Sequence, residues 1–245
     1  MASFPRRIAA EFLGSAVLAA IVIGSGVAAE RLSPTDVGLQ LLENAAATGL
    51  GLFVLILVLF PLSGAHFNPV ISLVDATLGS RPWRSVAAYL PAQIVGCCAG
   101  TVLANLMFDL PPVSISAKER LTPGTFLAEV VATAGLVLVI FALVRLDRAA
   151  ALPAAVGAWI GAAYFFTSST SFANPAITIG RMLSDTFAGI APGSAPGFIA
   201  AQLLGGVLGL GLVRWLYPHA KGPDPLRNPG QLVAGTGFEP VTSGL

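Results

Sequence analysis

The chain is 245 residues long, with 55% hydrophobic and only 10% charged residues, and its mean hydropathy is +0.82. A water-soluble domain carries roughly a quarter charged residues, so this composition excludes one and points to a lipid bilayer. The formal net charge of +1 supplies no long-range attraction to nucleic acid, which is excluded as a partner.

Taken in chain order, the first apolar run is Ile8–Ala29, behind Arg6-Arg7 and containing Glu11. A cleaved signal peptide would share the basic-then-apolar pattern, but this run is longer than the usual apolar region of one. The second run, Val37–Pro61, has Glu43 near one edge. Asn68-Pro69-Val70 follows, with a short apolar stretch, Val70–Leu78. The third run, Ser85–Phe108, contains Ala92-Gln93-x-x-Gly96 and the only cysteines, Cys97 and Cys98, read as small packing residues. After the polar loop Asp109–Leu121 come Thr122–Val144 with Glu129, and Ala150–Thr167. Then follow Asn174-Pro175-Ala176, the stretch Ala176–Leu183, the loop Asp185–Pro196, and Gly197–Tyr217 with Ala201-Gln202-x-x-Gly205. Six runs approach the roughly 20 residues that cross a bilayer core. Lys221–Leu245 is rich in Pro and Gly and is expected to be a disordered tail.

Glu, Asn-Pro and Gln recur in the same order in both halves: Glu11, Asn68 and Gln93, then Glu129, Asn174 and Gln202. An odd number of spans per half turns the second half upside down in the membrane. The expected architecture is therefore an all-α inverted repeat over residues 1–218, with halves at about 5–109 and 120–218 and a tail at 219–245. Inverted repeats place their site near the midplane. The bases orient it. With both termini inside, Arg6, Arg7, Arg81, Arg84, Arg145, Arg148, Arg214, Lys221 and Arg227 lie in the cytoplasm, against Arg31, Lys118, Arg120 and Arg181 outside. That asymmetry follows the positive-inside rule and predicts a multi-pass protein of the plasma (cell inner) membrane with cytoplasmic termini.

Proline suits the first helical turn, and asparagine before it is a favoured N-cap. The stretches behind each Asn-Pro are too short to span, so each reads as a re-entrant half-helix. Irregular backbone at that depth must be buried in protein or line a watery path. Two half-helices entering from opposite faces bring their positive N-terminal ends together, which repels cations. The asparagine amides are left as donors to a passing neutral molecule.

With these motifs the chain resembles the aquaporin, or major intrinsic protein, family: Glu in spans one and four, Ser63-Gly-Ala-His-Phe-Asn-Pro69, Asn174-Pro-Ala176 and the paired Ala-Gln-x-x-Gly. The resemblance covers about residues 5–218. It implies six tilted helices plus two half-helices, assembled as a homotetramer with one pore per subunit, and no cofactor. By it, Asn68, Pro69, Val70, Asn174, Pro175 and Ala176 form the pore centre. Glu11 and Glu129 accept hydrogen bonds from the half-helix loops, with a proton relay as the alternative. His66 braces the first loop; with no second ligand nearby, no metal is expected.

Departures from the family pattern bear on selectivity, which pore diameter and lining groups decide. The arginine that usually follows the second Asn-Pro-Ala is Ile177 here. The second-span filter position falls on Thr48 and the loop position on Ser171. The fifth-span position is Ala162 counted from Asn174, or Tyr164 if Pro153 marks the register; Tyr164 is preferred. Arg181 lies one turn beyond Ile177, about 6 Å outward on the same face. Its counterpart in the first half is Asp75. The pair reads either as opposite charges at opposite mouths or as anchors for the half-helix ends. Loss of the arginine together with Asn174–Arg181 and Ser184–Ile190 resembles bacterial members associated with arsenic resistance, which implies passage of water, glycerol-like polyols and neutral arsenite. A water-selective channel, a secondary transporter and a closed, adhesive protein (hinted at by Val70) are the alternatives. An enzyme is not expected, because His66 and His219 are the only histidines and no nucleophile–base set is visible.

Overall fold

The structure is a computed structural model that describes residues 2–218. Its helices are α1 (Phe4–Leu32), α2 (Val37–Ser63), α3 (Pro69–Thr77), α4 (Trp83–Met107), α5 (Pro123–Arg145), α6 (Leu152–Phe166), α7 (Pro175–Arg181) and α8 (Ala195–Leu216), with a short 3₁₀ turn at Ala149–Ala151 leading into α6. Six are long and apolar enough to cross a membrane, α6 when taken together with its 3₁₀ turn as Ala149–Phe166, and α3 and α7 are the two half-helices. Among the described residues there is no strand. The tail at 219–245 lies outside the described residues.

Local chemistry sets the ends. Asp36 caps α2 by accepting from the Leu39 N–H at 2.9 Å. Thr122 and Thr125 form a capping box at the start of α5. Helix α2 ends at Gly64, whose φ of +94° is the left-handed C-cap that glycine tolerates best. The sequence placed α1 at Ile8–Ala29, but it runs further at both ends. Pro5 sits harmlessly in its first turn, and Arg31 near its last turn donates to the Phe108 carbonyl at 2.5 Å. The half-helices start one residue earlier than read, because Asn68 and Asn174 themselves cap them.

In a bilayer the packing of spans cannot rest on hiding apolar surface from water. Accordingly, exposed side chains on the spans such as Leu50, Val58, Leu127 and Val207 are apolar and face outward. Close approach is left to small residues. Gly96 and Gly100 of α4 lie against the Phe12 and Ala16 carbonyls of α1. Their repeat mates Gly205 and Gly209 of α8 lie against Val130 and Ala134 of α5 in the same way. A Cβ at Gly205 would sit 2.6 Å from the Val130 carbonyl oxygen. Each half thus carries a Gly-x-x-x-Gly seam that joins its first and third spans.

Counting passes fixes the sidedness of every site residue. The N-terminus, the α2–α3–α4 turn region, the α5–α6 connection and the end of α8 share one face of the bundle. The α1–α2, α4–α5 and α7–α8 connections share the other. The link between halves does more than connect: Ser114 and Ser116 N–H groups donate to the Leu183 and Met182 carbonyls at 3.0 and 2.9 Å, strapping it across the end of α7.

Candidate solute pore

The site begins with two buried carboxylates. Glu11 accepts from Ser63 Oγ at 2.6 Å, the His66 and Phe67 N–H groups at 3.0 and 2.8 Å, and Gln93 Nε2 at 2.8 Å. Glu129 accepts from Ser169 Oγ at 2.7 Å, the Phe172 and Ala173 N–H groups at 2.8 Å each, and Gln202 Nε2 at 2.6 Å. Four donors on each carboxylate leave neither in want of a partner. The glutamines continue inward, Gln93 to Ser72 Oγ at 3.0 Å and Gln202 to Thr178 Oγ1 at 2.9 Å.

These contacts hold the loops in costly backbone. Ala65 and Phe67 have φ of 49° and 48°, and their counterparts Ser171 and Ala173 have 49° and 48°. Left-handed non-glycine residues cost about 1–3 kcal/mol each when the surroundings enforce them. Here the alternation turns successive N–H groups onto one carboxylate, as in an anion-binding nest.

At the centre the two loops clasp. Asn68 Oδ1 caps its own half-helix by accepting from the Val70 N–H at 2.9 Å, which directs its amide nitrogen away from α3. That nitrogen donates to the Ala173 carbonyl at 2.7 Å. Asn174 mirrors it: Oδ1 accepts from Ala176 at 3.0 Å and Ile177 at 3.3 Å, and Nδ2 donates to the Phe67 carbonyl at 2.8 Å. An amide carries two hydrogens, so each asparagine keeps one donor beyond the clasp. Pro69, Pro175, Val70 and Ala176 are buried behind them and supply the first turns.

A cavity of about 240 Å³ passes both asparagines, well above the roughly 15 Å³ one water needs. Its walls are mostly apolar, with Leu18, Val22, Leu52, Ile71, Leu136 and Val156 among them. Of the residues expected at the filter, Thr48, Tyr164, Ser171 and Ile177 all line it. Ala162 is exposed on the outside of α6. Thr48 Oγ1 and the Tyr164 hydroxyl share a 3.1 Å hydrogen bond, and Ser171 Oγ is buried with no partner among the described residues.

Arg181 and Asp75 line the same cavity and lie on opposite faces, and each is also an anchor. Arg181 Nε donates to the Ala188 carbonyl, and its guanidinium lies 3.4 Å from the Phe172 ring centre. No carboxylate is within ion-pair distance of Arg181 among the described residues. Asp75 pairs with Arg81 Nε at 2.9 Å and with His66 Nε2 at 3.3 Å. The expectation of mirrored opposite charges therefore needs correcting. The Asp75 end is a compensated pair, because the turn after α3 brings Arg81 back onto it. His66 reaches Ser72 Oγ at 3.0 Å through Nδ1, a contact within the first loop and half-helix.

Phe172 was not singled out from the sequence, and Arg120 was noted only as one of the bases on the outer side. Arg120 donates from Nε to the Gly189 carbonyl at 2.6 Å and from Nη2 to the Phe187 carbonyl at 2.7 Å. It stacks 5.4 Å from the Phe172 ring that carries Arg181. Burial holds its pKa down to about 10, so it stays charged at neutral pH. Burial, with Arg120 next, also lowers Lys118. Nothing local in sequence links Arg120 to a ring 52 residues further on.

The comparisons agree with this geometry. The major intrinsic protein family model matches residues 1–173. Aquaglyceroporin AqpS of Rhizobium meliloti is 52% identical over 216 residues, covering 88% of this chain and 92% of that protein. The glycerol uptake facilitator protein of Streptococcus pneumoniae is 32% identical, covering 69% and 79% respectively. The X-ray structure of the aquaglyceroporin from Plasmodium falciparum superposes with a TM-score of 0.68 at 24% identity, covering 86% of this chain and 96% of that one, which speaks to the fold. The chain belongs to the major intrinsic protein family and is a multi-pass membrane channel, not an enzyme.

Proposed function

We propose that residues 1–218 form a passive pore for water and glycerol-sized uncharged solutes, with neutral trivalent arsenic among them. The carrying observation is the cavity that passes both clasped asparagines. Its waist offers two spare amide hydrogens, and the positive ends of two half-helices make it hostile to cations. Ile177 puts an apolar side chain where a water-selective filter would hold a guanidinium, which supports admission of polyols over strict water selectivity. Aquaglyceroporin relatives support the same solute class. The full complement of donors on Glu11 and Glu129 supports bracing of the loops over proton relay. The distribution of basic residues supports cytoplasmic termini in the plasma membrane, and the family resemblance supports a homotetramer.

Stopped-flow measurement on proteoliposomes with water, glycerol and trivalent arsenic tests this. Each flux should exceed that of protein-free vesicles and rise linearly with gradient, without dependence on protons or sodium. Arsenic flux equal to that of empty vesicles removes arsenic from the solutes. Ile177→Arg should suppress glycerol about tenfold or more, as loss of 1.4 kcal/mol does, while water flux persists. Unchanged glycerol flux would place the filter elsewhere.

A further inference from the structure

The pore mouth on the face that holds the start of α1 and the end of α8 is a built site. Asp75 stands near the end of α3, and the chain turns through Gly79, at φ +83°, before Arg81. That turn lays the Arg81 Nε 2.9 Å from Asp75 Oδ2. Arg81 Nη1 donates to the Tyr89 hydroxyl at 3.1 Å, and its guanidinium lies 5.2 Å over the Tyr89 ring. Tyr89 is itself tied by its O–H to the Ser63 carbonyl at 3.0 Å. Gly64 leaves the space that Nη2 occupies, since a Cβ there would lie 2.7 Å from it. His66 approaches the same Oδ2 at 3.3 Å.

Two atoms are left over. Among the described residues, Asp75 Oδ1 receives no hydrogen bond and Arg81 Nη2 donates none, and neither is sealed off from solvent. Asp75 and Arg81 both line the cavity, with side chains only 11% and 15% exposed. One wall of the mouth therefore holds a fixed acceptor and a fixed donor whose charges offset each other. An ion pair serving only to close the α3–α4 turn has no need to present these atoms to the lumen.

We propose that Asp75 and Arg81 form a second solute-reading station, which takes two neighbouring hydroxyls of a neutral polyol. One hydroxyl donates to Asp75 Oδ1 and the other accepts from Arg81 Nη2. Both bonds are charge-assisted and both partners are already held in place. The offset charges give a lone ion of either sign little to hold. The proposal rests on the channel reading and deepens it, since it assigns polyol preference to a place remote from the filter at Ile177.

The test is the flux of two isomers, 1,2- and 1,3-propanediol, through proteoliposomes containing the wild type, Asp75→Asn and Arg81→Lys. The isomers have the same atoms and differ in hydroxyl spacing. The wild type should favour the 1,2-isomer about tenfold, the factor that one charge-assisted hydrogen bond of roughly 1.5 kcal/mol supplies. Both variants should bring the ratio close to one, by a loss of 1,2-isomer flux larger than any loss of water flux. A ratio unchanged in both variants overturns the station. So does a parallel loss of water and both diols, because the pair would then be holding the mouth open. A wild type that passes neither water nor diols above empty vesicles defeats the channel reading instead.

Discussion

At the scale of single residues, Glu129 shows how much one buried group does. Its carboxylate collects two loop N–H groups, a hydroxyl and a glutamine amide, and so holds Ser171 and Ala173 in left-handed backbone. Glu129→Gln changes one acceptor into a donor facing those same donors. Leaving a buried donor unmet costs about 1–3 kcal/mol. The variant should melt at lower temperature in detergent and lose most of its flux, and Glu11→Gln should behave alike. Unaltered melting with altered proton conduction would restore the relay alternative. The glutamates, asparagines and glutamines were legible because they repeat. The Thr48–Tyr164 bond was half legible: aligning Pro153 selected Tyr164, but its tie to α2 needed coordinates. Arg120 and the Arg81–Asp75 pairing carry no repeat, and each depends on how a turn or strap folds back.

At the scale of elements, six apolar runs declared six spans, because lipid demands unbroken apolar length. Asn-Pro declared both half-helices, because cap and first turn sit side by side. Ends were less legible, as in α1, where they are set by contacts with other elements. The glycine seams lend themselves to a controlled comparison. Gly205→Leu pushes α8 away from a backbone oxygen of α5 that cannot yield. Overpacking of that kind costs about 1–3 kcal/mol, and the rigid neighbour puts this site at the upper end. Gly211→Leu, on the same helix, has nothing within 4 Å of the added carbon. Detergent melting should fall clearly for Gly205→Leu and stay near wild type for Gly211→Leu. Equal effects would mean that helix propensity, not the seam, sets the cost.

At the scale of the whole molecule, an even number of spans puts the start of α1 and the end of α8 on one face, and the positive-inside rule supports the proposal that this face is cytoplasmic. Impermeant maleimide should report this in a chain whose Cys97 and Cys98 have been replaced by alanine. Lys118→Cys, exposed on the opposite face, should label on intact cells, whereas Arg148→Cys should label only after lysis. The reverse pattern would invert the assignment. The inverted symmetry was legible from three pairs of motifs, but its incompleteness was not: among the described residues one mouth carries a guanidinium with no carboxylate partner and the other the Asp75–Arg81 ion pair.

The strap from Ser114 to Lys118 belongs formally to neither repeat, yet its backbone is bonded to the carbonyls of Met182 and Leu183 and, through the Lys118 carbonyl, to the Ala191 N–H. The seam between the two halves is thus also masonry of one vestibule. Shortening or replacing that segment to separate the repeats would alter the entrance itself, so the twofold plan is functionally lopsided at its own hinge.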